Sequence, residues 1–279
     1  MTGRDAVGEK FQAMGARVHV GLFGQRPKRR RWDGLRVVRR WSGPMLVDVK
    51  RDERGEFFDV RHGRDVRVRV LDVRPRDRHL LLEAAYAPGS RQAESRFLCG
   101  RDERSWFVAA IPESAGATTV QAAKDALKPR EVWDAIAEFG VRPEDRDKRW
   151  TKAFLRQGEW FFIPRPAMEV SEGNLVRNEP IRRGAGKPHW CQFLYREDGE
   201  AVYVHSHYPS GVTAEEYAAL PDSQRRMHGW RQMFRDATVY VKGSIRHADH
   251  DTIWLPFWHK VVMNTETQAE AMSQVAFLD

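Results

Sequence analysis

The sequence holds only two cysteines, Cys99 and Cys191, in 279 residues. That excludes both a disulfide framework and a cysteine-rich zinc module. No window approaches the roughly 18 consecutive apolar residues of a helical membrane span, and the first residues lack the apolar core of a secretory signal. These absences predict a soluble, cytoplasmic protein with no membrane partner. There is no Gly-x-Ser-x-Gly elbow and no P-loop. Arg183-Gly-Ala-Gly-Lys187 is glycine-rich, but it is short and lies among strand-like runs rather than at a helix start. Internal repeats are missing as well.

Aromatic bulk is plentiful, with 14 Phe and 10 Trp in a chain that is 41% hydrophobic, so a sizeable core is expected. Charge is unevenly placed. Arg26, Lys28, Arg29, Arg30, Arg31, Arg36, Arg39 and Arg40 face a single acid, Asp33, within fifteen residues of a chain whose net charge is +8. The rest of the chain is therefore close to neutral. Trp32 and Trp41 are interleaved with these cations, which is the pattern of a segment that neutralises phosphate and stacks on bases or ribose. A solvated charged face is the competing reading of any such run.

The pattern predicts a mostly β, α+β fold: an N-terminal barrel- or sandwich-like domain over 1–112 carrying the basic arm 26–40, a helical connector over 113–150, and a C-terminal His-rich β domain over 151–279 with short helical insertions. Asp65-Val-Arg-Val-Arg-Val-Leu-Asp-Val73 alternates with period two, and strand-length runs recur at 17–23, 45–49, 56–60, 79–82 and 106–111 between turn signals. Two helices are expected within 119–139, one capped by Thr118 or Thr119 and a second opened by Pro129 with Val132, Trp133, Ile136 and Phe139 at helical spacing. Beyond the charged stretch 143–149, runs at 159–164, 190–195, 201–205, 239–242, 252–255 and 260–263 read as strands, with 190–195 and 201–205 as a hairpin about Arg196–Gly199. Thr213-Ala-Glu-Glu216 reads as a capping box, and a further helix from Asp222 or Ser223 is expected to run through Trp230 and Phe234.

Seven of the ten histidines fall after residue 185. His205 and His207, two apart on an expected strand, would project from one face and could share a divalent metal. His247-Ala-Asp-His250-Asp251 places two imidazoles and two carboxylates on a turn, and His189 stands nearby in composition if not in sequence. A set drawn from His189, His205, His207, His247 and His250, with Asp249 or Asp251 as further ligand or general base, suits one divalent zinc, iron or manganese ion and hydrolytic or oxygen-activating chemistry. Turn histidines that only bond backbone groups are the commoner case. A Cys191–His189 nucleophilic pair is a weaker option, since a cysteine within an apolar strand usually behaves as a small hydrophobe.

Gly199-Glu-Ala-Val-Tyr-Val-His205-Ser-His207 resembles the opening of a cupin metal motif, without the glutamate that follows in that family. Arg156-Gln-Gly-Glu159 with its strand to Pro164, Gly186-Lys-Pro-His189, and Val241 to Leu255 with its His247-x-x-His250 turn together resemble a group of short bacterial and phage proteins. Those proteins open on an Arg-Gln-Gly-Asp strand and close on a His-x-x-His turn. A larger two-part version, marked here by Phe97-Leu-Cys-Gly-Arg-Asp-Glu-Arg-Ser-Trp-Phe-Val108, is widespread in bacteria as hypothetical proteins. The resemblance implies no activity, but it implies that His189, His247 and His250 serve the fold or a site. The leading expectation is nucleic-acid (RNA or DNA) binding through the 26–40 arm, with Trp32 and Trp41 supplying stacking. The alternatives are a metal-dependent hydrolase or cupin-like enzyme, and an accessory module that binds a protein partner.

Overall fold

A computed structural model describes residues 3–23, 45–86, 94–183 and 186–270. The fold is mostly β. The chain divides into two compact units, one formed by the residues up to Lys128 together with the segment from Thr265, the other by Pro129–Asn264. The division falls inside the helical stretch, so its two helices go to different units. Among the described residues no helix is long and apolar enough to cross a membrane.

The first unit contains α1 (Gly3–Ala13), β1 (Val18–Leu22), β2 (Met45–Asp52), β3 (Gly55–His62), β4 (Val66–Arg74), β5 (His79–Tyr86), β6 (Ser95–Asp102), β7 (Ser105–Ile111) and α2 (Val120–Ala126). Its strands form a three-stranded sheet, β1-β3-β2, and a four-stranded meander, β4-β5-β6-β7. β1 runs parallel to β3 and the remaining pairs are antiparallel. Phe58 and Val60 from the first sheet share one core with Leu80, Leu82, Phe97 and Cys99 from the meander. The other face of the meander, with Leu81, Leu98 and Ala109, packs on Val120 and Ala123 of α2. This two-sided burial explains the unbroken Leu80-Leu81-Leu82 run, since a strand covered on both faces has no polar side to alternate with.

The helix α1 corrects an all-β reading of the first hundred residues. Its apolar residues Val7 and Phe11, with Met14 just past its end, are buried at helical spacing, but Gly8 and the surrounding charges dilute the pattern that sequence reading depends on.

The second unit contains α3 (Arg130–Glu138), β8 (Leu155–Gln157), β9 (Trp160–Pro164), β10 (Val176–Ile181), β11 (His189–Glu197), β12 (Glu200–His205), β13 (Tyr208–Thr213), α4 (Ala214–Ala219), α5 (Asp222–Arg225), β14 (Arg231–Arg235), β15 (Thr238–Arg246) and β16 (Ile253–Met263). Six strands make an antiparallel sheet in the order β10-β11-β15-β16-β9-β8, and three make a small sheet β13-β12-β14. The larger sheet curls so far that Trp160 and Phe162 near one edge enter the same core as Ile181, Cys191 and Leu194 near the other. On its outer side Phe161, Ile163 and Val262 pack on Val132, Ala135 and Ile136 of α3.

Two sequence expectations fail in this unit. β11 pairs with β10 and β15 rather than with β12, so 190–195 and 201–205 form no hairpin although Asp198 and Gly199 do turn the chain. The helix opened at Asp222 ends at Arg225, and 231–235 is strand β14 paired to β12. There the edge of β12 takes backbone hydrogen bonds that a longer helix would forgo. The capping box at Thr213 and Glu216 forms, with both reciprocal bonds present.

Candidate metal centre

Three loops meet at one end of the curled sheet. β8 and β9 are joined by a tight turn at Gly158, which has φ +59°. β11 begins at His189, which pairs with Ile181, and β15 ends at Arg246, so His247 and His250 lie on the segment leading into β16. Gln157, wholly buried, ties the first loop to the third through its Nε2 donating to the Asp251 carbonyl at 2.7 Å. The curl of the sheet, invisible to any local pattern, thus brings residues 157–158, 189 and 247–251 together.

The imidazoles of His189, His247 and His250 stack. Ring centroids lie 4.1 Å apart for His189 and His247, 4.7 Å for His247 and His250, and 5.7 Å for His189 and His250. One nitrogen from each falls within 4.8 Å of the others, and no other His, Cys, Asp or Glu group among the described residues is so arranged. A tetrahedral zinc with bonds of about 2.0–2.1 Å spaces its ligand nitrogens about 3.4 Å apart, so the three rings would have to turn out of their stack to close around one ion.

The three rings are not equivalent. His189 is 1% exposed, and neither its Nδ1 nor its Nε2 has a hydrogen-bond partner within the described protein. His247 accepts the Asp249 N–H at Nδ1 (3.1 Å) and hydrogen-bonds the Lys187 backbone as well. The position a Cβ on Gly158 would take lies 3.0 Å from His250 Nε2 and 3.6 Å from His189 Nε2, so both nitrogens turn toward the space that this glycine leaves open. Two further buried polar atoms, Gln157 Oε1 and Trp160 Nε1, also lack partners, and the Trp160 ring meets His189 edge-on at 6.4 Å.

Electrostatics keep the lone pairs available. Burial, then the neighbouring His247 and His250, push the His189 pKa down to about 2. Burial and His250 lower that of His247 as well. Asp249 has another occupation: Lys187 Nζ donates to both its carboxylate oxygens at 2.7 and 2.8 Å. Burial alone would raise the Asp249 pKa, and the lysine more than reverses that.

The remaining sequence candidates sort as follows. His205 and His207 do not share a strand face, because β12 ends at His205 and His207 lies in the turn to β13. His205 Nδ1 accepts the His207 N–H at 3.2 Å and Nε2 faces the His228 carbonyl at 3.3 Å, so this ring staples a turn and belongs to the small sheet. Their rings lie 5.1 Å apart, but the pair does not share a strand face as expected and is not part of the group formed by His189, His247 and His250. Asp251 is exposed, and its carbonyl serves Gln157. Cys191 is buried in the sheet core, its Sγ directed at the His189 carbonyl at 3.7 Å; burial raises its pKa to about 12, which removes the nucleophilic pairing. Arg26, Lys28, Arg29, Arg30, Arg31, Trp32, Arg36, Arg39, Arg40 and Trp41 lie outside the described residues. Sequence reading did not recognise Gly158 as part of a site. A Gln-Gly-Glu between two apolar runs signals a hairpin turn, but not what that turn faces.

The chain matches no protein-family model, no curated protein and no solved structure. What can be said of function rests on the fold and on these contacts.

Proposed function

We propose that the protein is a mononuclear metal protein of catalytic type, holding one divalent ion on His189, His247 and His250. The observation that carries this reading is His189: a buried imidazole, kept neutral, with both nitrogens unpartnered and two further imidazoles in contact. Leaving a buried polar group unsatisfied costs about 1–3 kcal/mol, and an ion on Nε2 removes that cost for one nitrogen while supplying the opposite charge that three clustered bases favour.

Three neutral nitrogen ligands with no thiolate suit zinc, with iron and manganese as the competing ions. Three protein ligands leave a tetrahedral ion one position for water, whose pKa such an ion brings to about 7; that is the chemistry of metal-assisted hydrolysis. His189 and His250 anchor the ion over Gly158, and His247 exchanges its backbone contact at Lys187 for the third bond. Lys187 and Asp249, paired beside the rings, hold the loop and leave the ion its charge.

The test is elemental analysis of tag-free protein by plasma mass spectrometry. About one metal per chain is expected, lost in a His247→Ala/His250→Ala double variant that remains folded. Native protein that stays metal-free after incubation with zinc, iron(II) and manganese would end the reading.

A further inference from the structure

Strand alternation places a second set of chemistry-bearing residues on the outer face of the same six-stranded sheet. Along β15, Val239, Val241 and Ile245 point into the core while Tyr240, Lys242, Ser244 and Arg246 point out. Directly paired residues on neighbouring strands share a face. Trp190 pairs with Arg246 on one side of β15, and Trp254 pairs with Ser244, two residues back along the strand, on the other. They are 41% and 60% exposed, although large aromatics are normally buried. In the next row Phe193 pairs with Lys242 on one side and with Arg177 on the other, and the Arg177 guanidinium lies 4.9 Å from the centre of the Phe193 ring.

The surface between these rows is kept level. Gly243, with φ +85°, carries no side chain, and Gln192 lies over it, its Oε1 accepting the Ser244 N–H at 3.0 Å. A Cβ on Gly243 would meet that oxygen at 2.5 Å. Further along, Tyr195 and Tyr240 pair and their rings stack at 6.1 Å. Glu197, at this end of the face, accepts the Tyr240 hydroxyl at 3.1 Å. Apart from Glu197, the outward positions of β11 and β15 thus hold aromatic, cationic and small polar side chains and no aliphatic one. An apolar protein interface would be built the other way.

We propose that this face is a stacking platform for single-stranded nucleic acid. Trp190 and Trp254, on the strands either side of β15 and offset by two residues along it, so about 12 Å apart, take bases on their ring faces. Arg177, Lys242 and Arg246, spaced between them, neutralise the phosphates. Charge complementarity selects this occupant: three cations stand among exposed rings with no carboxylate between them. This reading is independent of the metal centre.

The experiment uses the whole chain and fluorescence anisotropy with short labelled oligothymidylate, oligouridylate and a duplex of matched length, at about 50 mM and about 200 mM salt. The wild-type chain should bind one or both single strands at least tenfold more tightly than the duplex, whose bases are already stacked, and the two single-stranded probes separate a DNA from an RNA preference. Trp190→Ser/Trp254→Ser should weaken binding roughly a hundredfold, about tenfold per lost ring, at an unchanged salt slope. Lys242→Ser/Arg246→Ser should lower the slope by about two while leaving the single-strand preference in place. A metal content equal to that of the wild type shows that each variant is folded if the metal reading holds, and circular dichroism shows it if that reading fails. Absence of binding at about 50 mM salt, equal affinity for duplex and single strand, or undiminished binding by the tryptophan double variant would each overturn the proposal. Binding lost only when Arg29, Arg30 and Arg31 are changed to Glu, with both sheet variants behaving as wild type, would assign nucleic acid to the arm and overturn it equally.

Discussion

Replacing Gly158 with alanine probes the metal centre where its geometry is tightest and leaves every proposed ligand in place. Two costs are involved, and the chain provides a control that separates them. Gly158 and Gly140 have nearly the same left-handed backbone, φ +59° and φ +60°, but a Cβ on Gly140 meets nothing within 4 Å whereas one on Gly158 comes within 3.0 Å of His250 Nε2. Gly140→Ala should therefore cost only the conformational strain of a side chain at positive φ, about 1 kcal/mol, or about 3 °C in Tm for a unit of this size. Gly158→Ala should cost that plus roughly 1 kcal/mol more, because an imidazole packed on two neighbours must give way. Zinc changes the comparison. At a hundred times its dissociation constant an ion stabilises the state that binds it by about 2.7 kcal/mol, which is about 8 °C here. Wild type and Gly140→Ala should both show that shift in a thermal melt with zinc against chelator. Gly158→Ala should lose most of it, since its methyl takes the space that His189 Nε2 and His250 Nε2 both face. An undiminished zinc shift in Gly158→Ala would refute the assignment of that space to the ion, and equal losses for the two alanines in chelator would refute the contact itself.

Three other outcomes follow from contacts elsewhere in the chain. His205→Ala should leave metal content unchanged while destabilising the small sheet by about 2 kcal/mol, through the lost turn bonds and the lost ring contact with Trp230 at 5.1 Å; metal loss measured by mass spectrometry would restore His205 to the centre. Cys99 and Cys191 are both fully buried and burial raises both pKa values, so neither should react with an aromatic disulfide reagent at pH 8 until denaturant is added, and titration of a thiol in native protein would contradict the packing. Glu83 sits between Arg69 and Arg96 in register across three strands; burial raises its pKa, but the two arginines outweigh that and hold it below its ordinary 4.5. On acidification the unfolded chain therefore takes up this proton first, so stability present above about pH 4.5 is lost as pH falls through the lower folded value. Glu83→Gln should flatten that limb of a pH-dependent unfolding series, and an unchanged slope would show that the carboxylate is not held as described.

The β character of the chain was legible because most of its strands are half-exposed: Val66, Val68 and Val70 alternate with Arg67 and Arg69 on β4, and alternation of that kind reports one covered face. What sits beside what was not legible. β11 and β12 read as a hairpin since only Asp198 and Gly199 divide them, yet β11 is claimed on both sides by β10 and β15, and β12 by β13 and β14. Short-range turn signals cannot weigh a distant strand's hydrogen bonds. The same limit governed the histidines. His205 and His207 had the more suggestive spacing, but β12 stops at His205, two residues short of His207, and the backbone consumes the His205 ring. His189, His247 and His250 had no shared local pattern between the first and the other two. Their meeting depends on the curl of a six-stranded sheet, and a curl is set by twist and core volume rather than by any one segment.

One geometric fact links the two sites proposed for the second unit. His189 and Trp190 are consecutive on β11, as are Arg246 and His247 where β15 ends, so the period-two alternation that buries an imidazole at the end of the sheet also turns a tryptophan and an arginine outward. A one-residue slip of β11 against β15 would exchange the faces, exposing His189 and burying Trp190. That slip is opposed by Cys191, Leu194, Val241 and Ile245, all wholly buried on the inner side, whose exposure would cost about 1.5–3 kcal/mol for each large side chain. The core therefore fixes the register, and the register fixes both sites together. They are separable all the same: an ion on Nε2 of His189 acts on the inner side of the strand, and stacking on Trp190 acts on the outer. Loss of metal should leave the Trp190 surface intact, and loss of Trp190 should leave the metal bound.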